Sequence, residues 1–529
     1  MRNLELPGRS PVRATGGMAA TSHPLSTAAA LDVLREGGNT MDAAISACAV
    51  QCVVEPQSTG IGGDCFVLYA PGGGADIIGY NGSGRAPAKA TPEWFSSQGV
   101  TEIGPHSPHA VTIPGAIDAW CQLLEDHGTK SLGEVFTHAI EYARNGYPVH
   151  DRVAADWKRC EGMLAQDENA ARVYLSQGSA PEPGTLHKQT ELADTLEKIA
   201  AEGRDGFYQG AVAEDIVGHL KSFGGVHELD DFANAAGQYV TPIKTSYRGF
   251  EVHEIPPNGQ GVIALLMLNI LGGMGLEALD PLSPERLHLF IEAGRLAYGE
   301  REALIGDPDQ VDVPVDMLLS AGHATKLRER IVPGKATIGL PPEYIPHADT
   351  VYLSVVDKDR NAVSFINSLF QSFGTGLVAP KSGVILQNRG ISFNLDPGHP
   401  NCIAPDKRPM HTIIPGMLTE GDRVIMPFGV MGGHYQAFGH AYFLSNLFEH
   451  GLDLQEAMDL PRLFPTVHGP VEIESGMPDD IVRALRDMGH ETAAPAKPIG
   501  GAQAISIDWQ RGVLTGASEP RKDGLALGY

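Results

Sequence analysis

The sequence is short of positive charge. Its 529 residues include 39 lysines and arginines against 64 aspartates and glutamates, which gives a formal net charge of −25. Nucleic acids and anionic membrane surfaces bind proteins through basic faces. The charge balance therefore argues against nucleic acid or membrane lipid as a partner, and any anionic substrate would need a local arginine.

Cysteines and long apolar runs are also scarce. The six cysteines form no CxxC pair. Cys48 and Cys52 lie four residues apart in an apolar stretch, where two buried helical cysteines are expected. The longest apolar run, about 262–271, is too short to span a bilayer. Residues 1–17 lack the apolar segment of a secretory signal, so we expect a cytoplasmic protein.

What is present is a globular composition, with 42% apolar and 19% charged residues. Helical patterns predict the segments 22–35, 41–54, 116–127, 191–202, 284–304, 435–449 and 479–488. Strand patterns predict 65–69, 350–357, 362–368, 383–386, 424–428 and 504–508. Residues 331–349 contain four prolines and two glycines and are predicted to be an exposed linker. These patterns favour a mixed sheet with helices on both faces over several independent domains.

Thr350 opens the strand that follows this linker. A threonine at the start of a strand is ordinary by itself, because β-branched residues favour strands. The surrounding motifs give it more weight. They are Gly37–Ala44, Glu55–Pro56, Gly60–Gly63, Ala86–Thr91, Ile113–Gly115, Gly206–Gly210, Tyr247–Gly249, Leu268–Leu271, Gly306–Pro308, Asp349–Thr350, Ser354–Asp359, Asn361–Val363 and Phe373–Gly376.

In this order and spacing, the motifs resemble the γ-glutamyltransferase family of N-terminal-nucleophile (Ntn) hydrolases, from about residue 18 to the end. The resemblance implies an α/β (α+β) fold, a four-layer αββα sandwich built jointly by two chains cut from one precursor. The cut would fall between Asp349 and Thr350. Parts 1–349 and 350–529 would then form one intertwined unit whose fragments stay associated. Whether two such heterodimers form a homodimer is left open.

The chemistry of an N-terminal threonine explains why the cut matters. A threonine hydroxyl is a weak nucleophile unless a base lies next to it. Cleavage would free the α-amine of Thr350, whose pKa is ordinarily about 7.7–8.0. One residue then supplies the nucleophile and the general base. We therefore expect no cofactor.

The resemblance also implies roles for three other residues. Ser368 matches a hydroxyl residue that supports the nucleophile; the alternative is a solvent-facing strand serine. Gly432 and Gly433 match a glycine pair whose backbone N–H groups form the oxyanion hole. The alternative for this pair is a simple turn.

The sequence departs from the glutathione-cleaving members of the family around the substrate. Ser83 stands where those members have an arginine, and Phe370 stands where they have an asparagine. Arg389 replaces a glutamine, Ser392 replaces an acidic residue, and His411–Thr412 replace a pair of serines. The segment Pro256–Gly261 also differs from the form that is usual in the family. Without an acidic residue at position 392, the pocket lacks that partner for a substrate ammonium group. Gaining Arg389 adds a forked donor that suits a carboxylate.

These changes resemble the branch of the family that holds dicarboxylic-acid half-amide hydrolases, such as glutaryl β-lactam acylases and oxamate amidohydrolase. We predict that Arg389 anchors a substrate carboxylate, with a structural ion pair as the alternative. Arg85 is a second candidate for this anchor. Ser392 and Thr412 are predicted pocket residues, and His411 either hydrogen-bonds the substrate or fills the pocket wall.

A metal site built from His411, His434 and His440 is not supported by any known ligand spacing, so we predict none.

The predicted function is a self-processing threonine amidohydrolase acting on an amide of a small acid that bears a carboxylate. The first alternative is a glutathione hydrolase or γ-glutamyltransferase. The second is an inactive relative that binds a small acid.

Overall fold

The computed structural model describes residues 8–337, 350–466 and 469–529. Asp349 and most of the predicted linker lie outside the described residues. The strands are β1 (Val12–Ala14), β2 (Met18–Thr21), β3 (Asp64–Ala70), β4 (Ile78–Gly82), β5 (Tyr147–Pro148), β6 (Leu186–His187), β7 (Gln238–Val240), β8 (Ile243–Tyr247), β9 (Phe250–Glu254), β10 (Val351–Val356), β11 (Ala362–Ser368), β12 (Gly416–Glu420), β13 (Arg423–Met431), β14 (Leu463–Pro465), β15 (Val471–Ile473), β16 (Thr492–Ala493), β17 (Gly501–Asp508), β18 (Val513–Ser518) and β19 (Leu525–Gly528).

The helices are α1 (Pro24–Arg35), α2 (Thr40–Val54), α3 (Pro92–Ser97), α4 (Ala116–His127), α5 (Leu132–Asn145), α6 (Asp151–Lys158), α7 (Glu161–Leu164), α8 (Glu168–Tyr174), α9 (Thr190–Glu202), α10 (Asp205–Tyr208), α11 (Gly210–Ser222), α12 (Leu229–Ala233), α13 (Gly261–Leu271), α14 (Pro284–Leu304), α15 (Val315–Leu319), α16 (Ala321–Arg328), α17 (Tyr435–Phe448), α18 (Leu454–Asp459) and α19 (Asp479–Asp487). Short 3₁₀ turns cover Pro71–Gly73, Pro108–Ala110, Leu276–Ala278 and Arg389–Ser392. Among the described residues, no helix is both long enough and apolar enough to cross a bilayer.

Two large antiparallel sheets form the centre of the molecule. Sheet I has the strand order β1-β18-β17-β13-β12-β9-β8, and sheet II has the order β19-β2-β10-β11-β3-β4-β7. Each sheet combines strands from before and after Thr350. The single mixed sheet expected from the sequence patterns is therefore wrong, because a strand pattern does not identify its partners. In sheet II, for example, β19 pairs with β2 from the opposite end of the chain.

The sheets stack face to face between two layers of helices. Along β3, Phe66 and Leu68 enter the apolar core that includes sheet I and helices α13, α14 and α17. Cys65 and Val67 enter the core that includes helices α1, α2 and α5. Successive strand residues point to opposite faces, so a strand buried on both sides is apolar throughout. The fold is the four-layer αββα sandwich that the resemblance implies.

Local sequence explains the helix that supports sheet II. Asn39 accepts hydrogen bonds from the N–H groups of Met41 and Asp42, and Asp42 accepts one from the Asn39 N–H. This capping box begins α2 directly after Gly37–Gly38. Cys48 and Cys52 are buried on α2, as predicted.

Candidate active site

Thr350 and Ser368 face each other on neighbouring strands. β10 and β11 pair antiparallel with Val351 opposite Asn367, so the next pair is Thr350 and Ser368. The two hydroxyl oxygens lie 3.1 Å apart, and both residues are buried. Ser368 Oγ also accepts a hydrogen bond of 2.9 Å from the Phe370 N–H. The hairpin therefore holds a second hydroxyl at hydrogen-bond distance from Thr350.

The Gly60–Gly63 motif packs directly behind this hairpin. A Cβ atom at Gly63 would lie 2.3 Å from the carbonyl oxygen of Ser368. Any side chain there would displace the end of β11. Glycine at this position therefore preserves the place of Ser368.

A third polar group reaches Thr350 from the first turn of α17. The Nε2 atom of Gln436 lies 3.5 Å from Thr350 Oγ1. Its Oε1 atom accepts a hydrogen bond of 3.0 Å from the Ile414 N–H, which fixes the orientation of the amide. Gln436 is fully buried. The Thr350 hydroxyl is thus held between a serine and an amide donor.

Gly432 and Gly433 form the turn between β13 and α17, just before Gln436. Their φ angles are +124° and +56°, which favour glycine. Across the described ranges, neither backbone N–H donates to a protein acceptor. The Gly433 carbonyl accepts from Gln260 Nε2 at 3.0 Å and from the Gln436 N–H at 3.2 Å. The turn is fixed through its carbonyl while its N–H groups are left available to a ligand.

Gln260 connects this turn to the neighbouring pocket. Its Nε2 atom also donates to the Thr412 carbonyl at 2.7 Å. Its Oε1 atom accepts from Arg301 Nη1 at 2.7 Å, which orients the amide. One side chain therefore connects the glycine turn with Thr412.

Arg389 is a buried cation beside this hairpin. Its guanidinium carbon lies 3.9 Å from the centre of the Phe370 ring, and Nη1 donates to Thr412 Oγ1 at 2.8 Å. The residue is 0% exposed. In the part of the chain that the structure describes, its Nε and Nη2 atoms have no hydrogen-bond partner. Buried polar groups are seldom left unpaired, so these two donor atoms are an exception that a bound ligand could satisfy.

The surroundings make that positive charge costly. Burial lowers the pKa of Arg389 to about 9, and the negative charge of Asp64 opposes the lowering only in part. A carboxylate bound to Nε and Nη2 would restore hydrogen bonds and charge balance together. The geometry thus fits the predicted carboxylate anchor better than the alternative of a structural ion pair.

Asp64 and His411 form a buried pair next to Arg389. Asp64 Oδ2 accepts a 3.0 Å hydrogen bond from His411 Nε2, and His411 Nδ1 accepts one of 3.3 Å from the Ile413 N–H. Burial, together with the charge of Arg389, lowers the pKa of His411 to about 4. The imidazole is therefore neutral at pH 7. Both of its nitrogens bond to the protein, which matches the interpretation of His411 as a pocket wall.

The structure places the other two predicted pocket residues differently. The guanidinium of Arg85 lies 2.8 Å from Asp309 and 3.5 Å from Asp307, and is partly exposed. Its charge is already balanced, so Arg85 is a weaker candidate for the anchor. Ser392 ends the 3₁₀ turn that begins with Arg389, and its hydroxyl has no partner among the described residues.

The three histidines weighed as metal ligands have separate partners. His411 bonds to Asp64, and His440 Nδ1 lies 2.6 Å from Glu254. His434 Nδ1 lies 2.9 Å from Arg301 Nη1. Each imidazole therefore belongs to a different hydrogen-bonded group.

Sequence reasoning did not identify Asp64, Gln260 or Gln436 as site residues. Each is a single polar residue in an apolar or glycine-rich segment. Their contacts join segments far apart in the chain, as in the pair of Asp64 and His411, which are 347 positions apart. The one available signal was an acid directly after the Gly60–Gly63 motif, at the start of a buried strand.

Comparison with known proteins agrees with this geometry. A family model described as gamma-glutamyltranspeptidase matches residues 26–529. The chain belongs to the γ-glutamyltranspeptidase family. It is 35% identical to the "Glutathione hydrolase-like YwrD proenzyme" of Bacillus subtilis (strain 168), over 97% of this chain and 98% of that protein. It is 32% identical to the "Oxamate amidohydrolase proenzyme" of Klebsiella pneumoniae, over 97% and 99%.

A solved structure extends the similarity to three dimensions. The cephalosporin acylase from Bacillus halodurans superposes with a TM-score of 0.92 at 39% identity, covering 100% of this chain and 99% of that one. The family membership and this fold make the chain an amide hydrolase of the Ntn type. The names of the Bacillus subtilis and Klebsiella proteins describe proenzymes.

Proposed function

We propose that Thr350 is the nucleophile of an amidohydrolase whose substrate is the amide of a small acid with a second, free carboxylate. The chain would cut itself between Asp349 and Thr350. The observation that carries the substrate class is the buried Arg389, whose Nε and Nη2 atoms have no partner among the described residues. Arg389 stacks on Phe370, whose N–H bonds to Ser368, so the anchor lies next to the nucleophile.

The proposed reaction begins with attack of Thr350 Oγ1 on the amide carbonyl carbon. The freed α-amine of Thr350 takes the hydroxyl proton, and Ser368 and Gln436 hold the oxygen in place. The carbonyl oxygen becomes an oxyanion that accepts from the N–H groups of Gly432 and Gly433. One such donor contributes about 2.7–4 kcal/mol to lowering the barrier.

The intermediate then collapses to an acyl ester on Thr350. The C–N bond breaks, and the leaving amine takes the proton from the α-ammonium group. Water attacks the ester with the same amine as base, which releases the acid and restores Thr350. Hydrolysis is favoured over transfer because no motif for a specific amine acceptor is recognised in the sequence.

A γ-glutamyl substrate fits this pocket less well. It would need an acid to bind its α-ammonium group. Asp64 is the acid that acts on Arg389, but Oδ1 already accepts from two backbone N–H groups and from Gln387. Oδ2 accepts from His411. The arrangement therefore supports a substrate with a carboxylate but without an adjacent amine.

The first test is the intact mass of the purified wild-type chain beside Thr350→Ala. We expect two fragments from the wild type, the smaller beginning at Thr350, and one uncut chain from the variant. An uncut wild type that still binds glutarate would favour the inactive relative instead. Faster turnover of γ-glutamyl-p-nitroanilide than of glutaryl-p-nitroanilide would favour the glutathione hydrolase.

We also propose a cytoplasmic location, and the association of two cut heterodimers into a homodimer is open to test. The proposed location is supported by six free cysteines, five of them buried, since thiols persist in reducing compartments. Fractionation of the source cells tests the location. The mass of the cut enzyme by light scattering tests the assembly.

A further inference from the structure

A second group of polar side chains lies away from Thr350. His288 and Glu292 occupy one face of α14, one helical turn apart, and His490 follows α19. One ligand atom from each lies within 4.8 Å of the others. The three residues are 1%, 0% and 3% exposed, respectively. Two imidazoles and a carboxylate therefore converge in the protein interior.

The hydrogen bonds define which atoms are available. His288 Nε2 lies 2.9 Å from the Val332 carbonyl, which can only accept, so Nε2 carries the proton. His288 Nδ1 is then an unprotonated acceptor, and it points at His490 Nε2, 2.8 Å away. A second imidazole nitrogen bonded to a backbone carbonyl is the usual arrangement for a metal-binding histidine.

Two other atoms in the group lack a hydrogen bond. Glu292 Oε1 and His490 Nδ1 are buried and have no such partner in the described ranges. The Arg295 guanidinium lies 3.7 Å from Glu292 Oε1, beyond hydrogen-bond distance. Glu292 Oε2 is held by the N–H and the hydroxyl of Thr337, at 3.1 and 3.0 Å. The carboxylate of Glu292 is thus fixed through Oε2, while Oε1 makes no hydrogen bond.

We propose that His288, Glu292 and His490 bind a divalent transition metal of the zinc type. Two imidazoles and one carboxylate, with a fourth position for water, are a common ligand set for zinc. Ligand atoms about 2.0 Å from a tetrahedral metal lie about 3.3 Å from each other. The two imidazoles would therefore separate by about 0.5 Å, and the proton on His490 Nε2 would move to the unpartnered Nδ1 atom, so that Nε2 can bind the metal.

The three proposed ligands come from both sides of the proposed cleavage site in the sequence. His288 and Glu292 precede Thr350 in the chain, whereas His490 follows it. In a cut enzyme, the metal would connect the two fragments. It would also hold Thr337, in the segment that leads toward the cleavage site. This role rests on the proposed cleavage, but metal binding by itself does not.

The test uses the full chain, freed of metal with a chelator that is then removed, and cobalt(II) as the probe. We expect one cobalt ion per chain with intense visible absorption, and displacement by zinc(II). His490→Ala and the isosteric Glu292→Gln should each weaken binding at least 100-fold. His227→Gln is the matched control, because it alters another buried imidazole that lies 2.8 Å from a backbone carbonyl. It should bind cobalt like the wild type.

Two outcomes would overturn the proposal. One is a folded wild type that binds no cobalt, which would leave the group as a hydrogen-bonded histidine pair. The other is equal binding by wild type and Glu292→Gln. The uncut Thr350→Ala chain should bind cobalt normally, so a failure of cleavage and a failure of the metal site remain distinguishable. In the cut enzyme, removing the metal should lower the urea concentration at which the fragments separate.

Discussion

Replacing Arg389 by methionine tests the proposed substrate class directly. Methionine keeps much of the apolar volume over the Phe370 ring but removes the charge and the two unpaired N–H donors. If a substrate carboxylate binds there, the variant loses two charge-assisted hydrogen bonds, each contributing about 1.5–3 kcal/mol. We expect kcat/KM for glutaryl-p-nitroanilide to fall by about 3 kcal/mol, or about 150-fold.

The stability of the same variant distinguishes a ligand anchor from a structural residue. Burial lowers the pKa of Arg389 well below its ordinary value, to about 9, which means that the charged guanidinium costs about 5 kcal/mol at this site relative to water. Methionine avoids that cost, although it loses the bond to Thr412 and the contact with Phe370. We therefore expect the free energy of unfolding to stay within about 1 kcal/mol of the wild type or to rise.

The assay compares glutaryl-p-nitroanilide with pentanoyl-p-nitroanilide, which has the same chain length and no second carboxylate. Only the glutaryl rate should fall in Arg389→Met. Arg85→Met is the control, because that guanidinium is already paired with Asp309 and Asp307, and it should leave the substrate ratio unchanged. Equal losses on both anilides, with reduced stability, would refute the reasoning and make Arg389 structural.

Two further predictions concern the nucleophile and pH. Ser368→Ala removes the hydroxyl that lies 3.1 Å from Thr350 Oγ1. We expect kcat to fall about 10- to 100-fold with KM unchanged, as measured by steady-state kinetics. We also expect self-cleavage to slow, as measured by intact mass at successive times. As pH rises through about 9, free Arg389 loses its proton, so KM for the glutaryl anilide should rise while KM for the pentanoyl anilide stays constant. Because the unfolded arginine keeps its proton to higher pH, the cost of this group to stability is fully present below about pH 9 and decreases steadily as pH rises above 9. A parallel rise in both KM values, or an unaltered kcat in Ser368→Ala, would contradict these assignments.

Local patterns predicted the central hairpin well. The expected strands at 350–357 and 362–368 are β10 and β11, because alternation and a polar turn are short-range signals. The expected strand at 383–386 is wrong. That segment makes only isolated bridges, Val378 with Ile385 and Gly62 with Leu386. Gly383 has a φ of +67°, which a regular strand does not accommodate.

The site was predictable only where its parts are close in sequence or carried by a motif. Thr350 and Ser368 are joined by one hairpin, so their pairing follows from the register. Gln436 reaches the site from helix α17, and Asp64 from β3, the strand that pairs with β11. Each makes its decisive contacts with residues distant in the chain. Hydrophobic periodicity contains no information about such contacts.

The net charge of the whole chain bears on the interpretation of Arg389 as a carboxylate anchor. With 64 acidic residues and a net charge of −25, the protein has many carboxylates with which to neutralise a buried arginine. Two other buried arginines illustrate this, since Arg462 pairs with Glu519 and Arg408 with Asp309. Beside Arg389, Asp64 uses its oxygens to accept hydrogen bonds from other groups. If Thr350 is the nucleophile and Arg389 the anchor, as we propose, the substrate supplies the missing carboxylate. Binding of the correct acid would then also balance the buried charge.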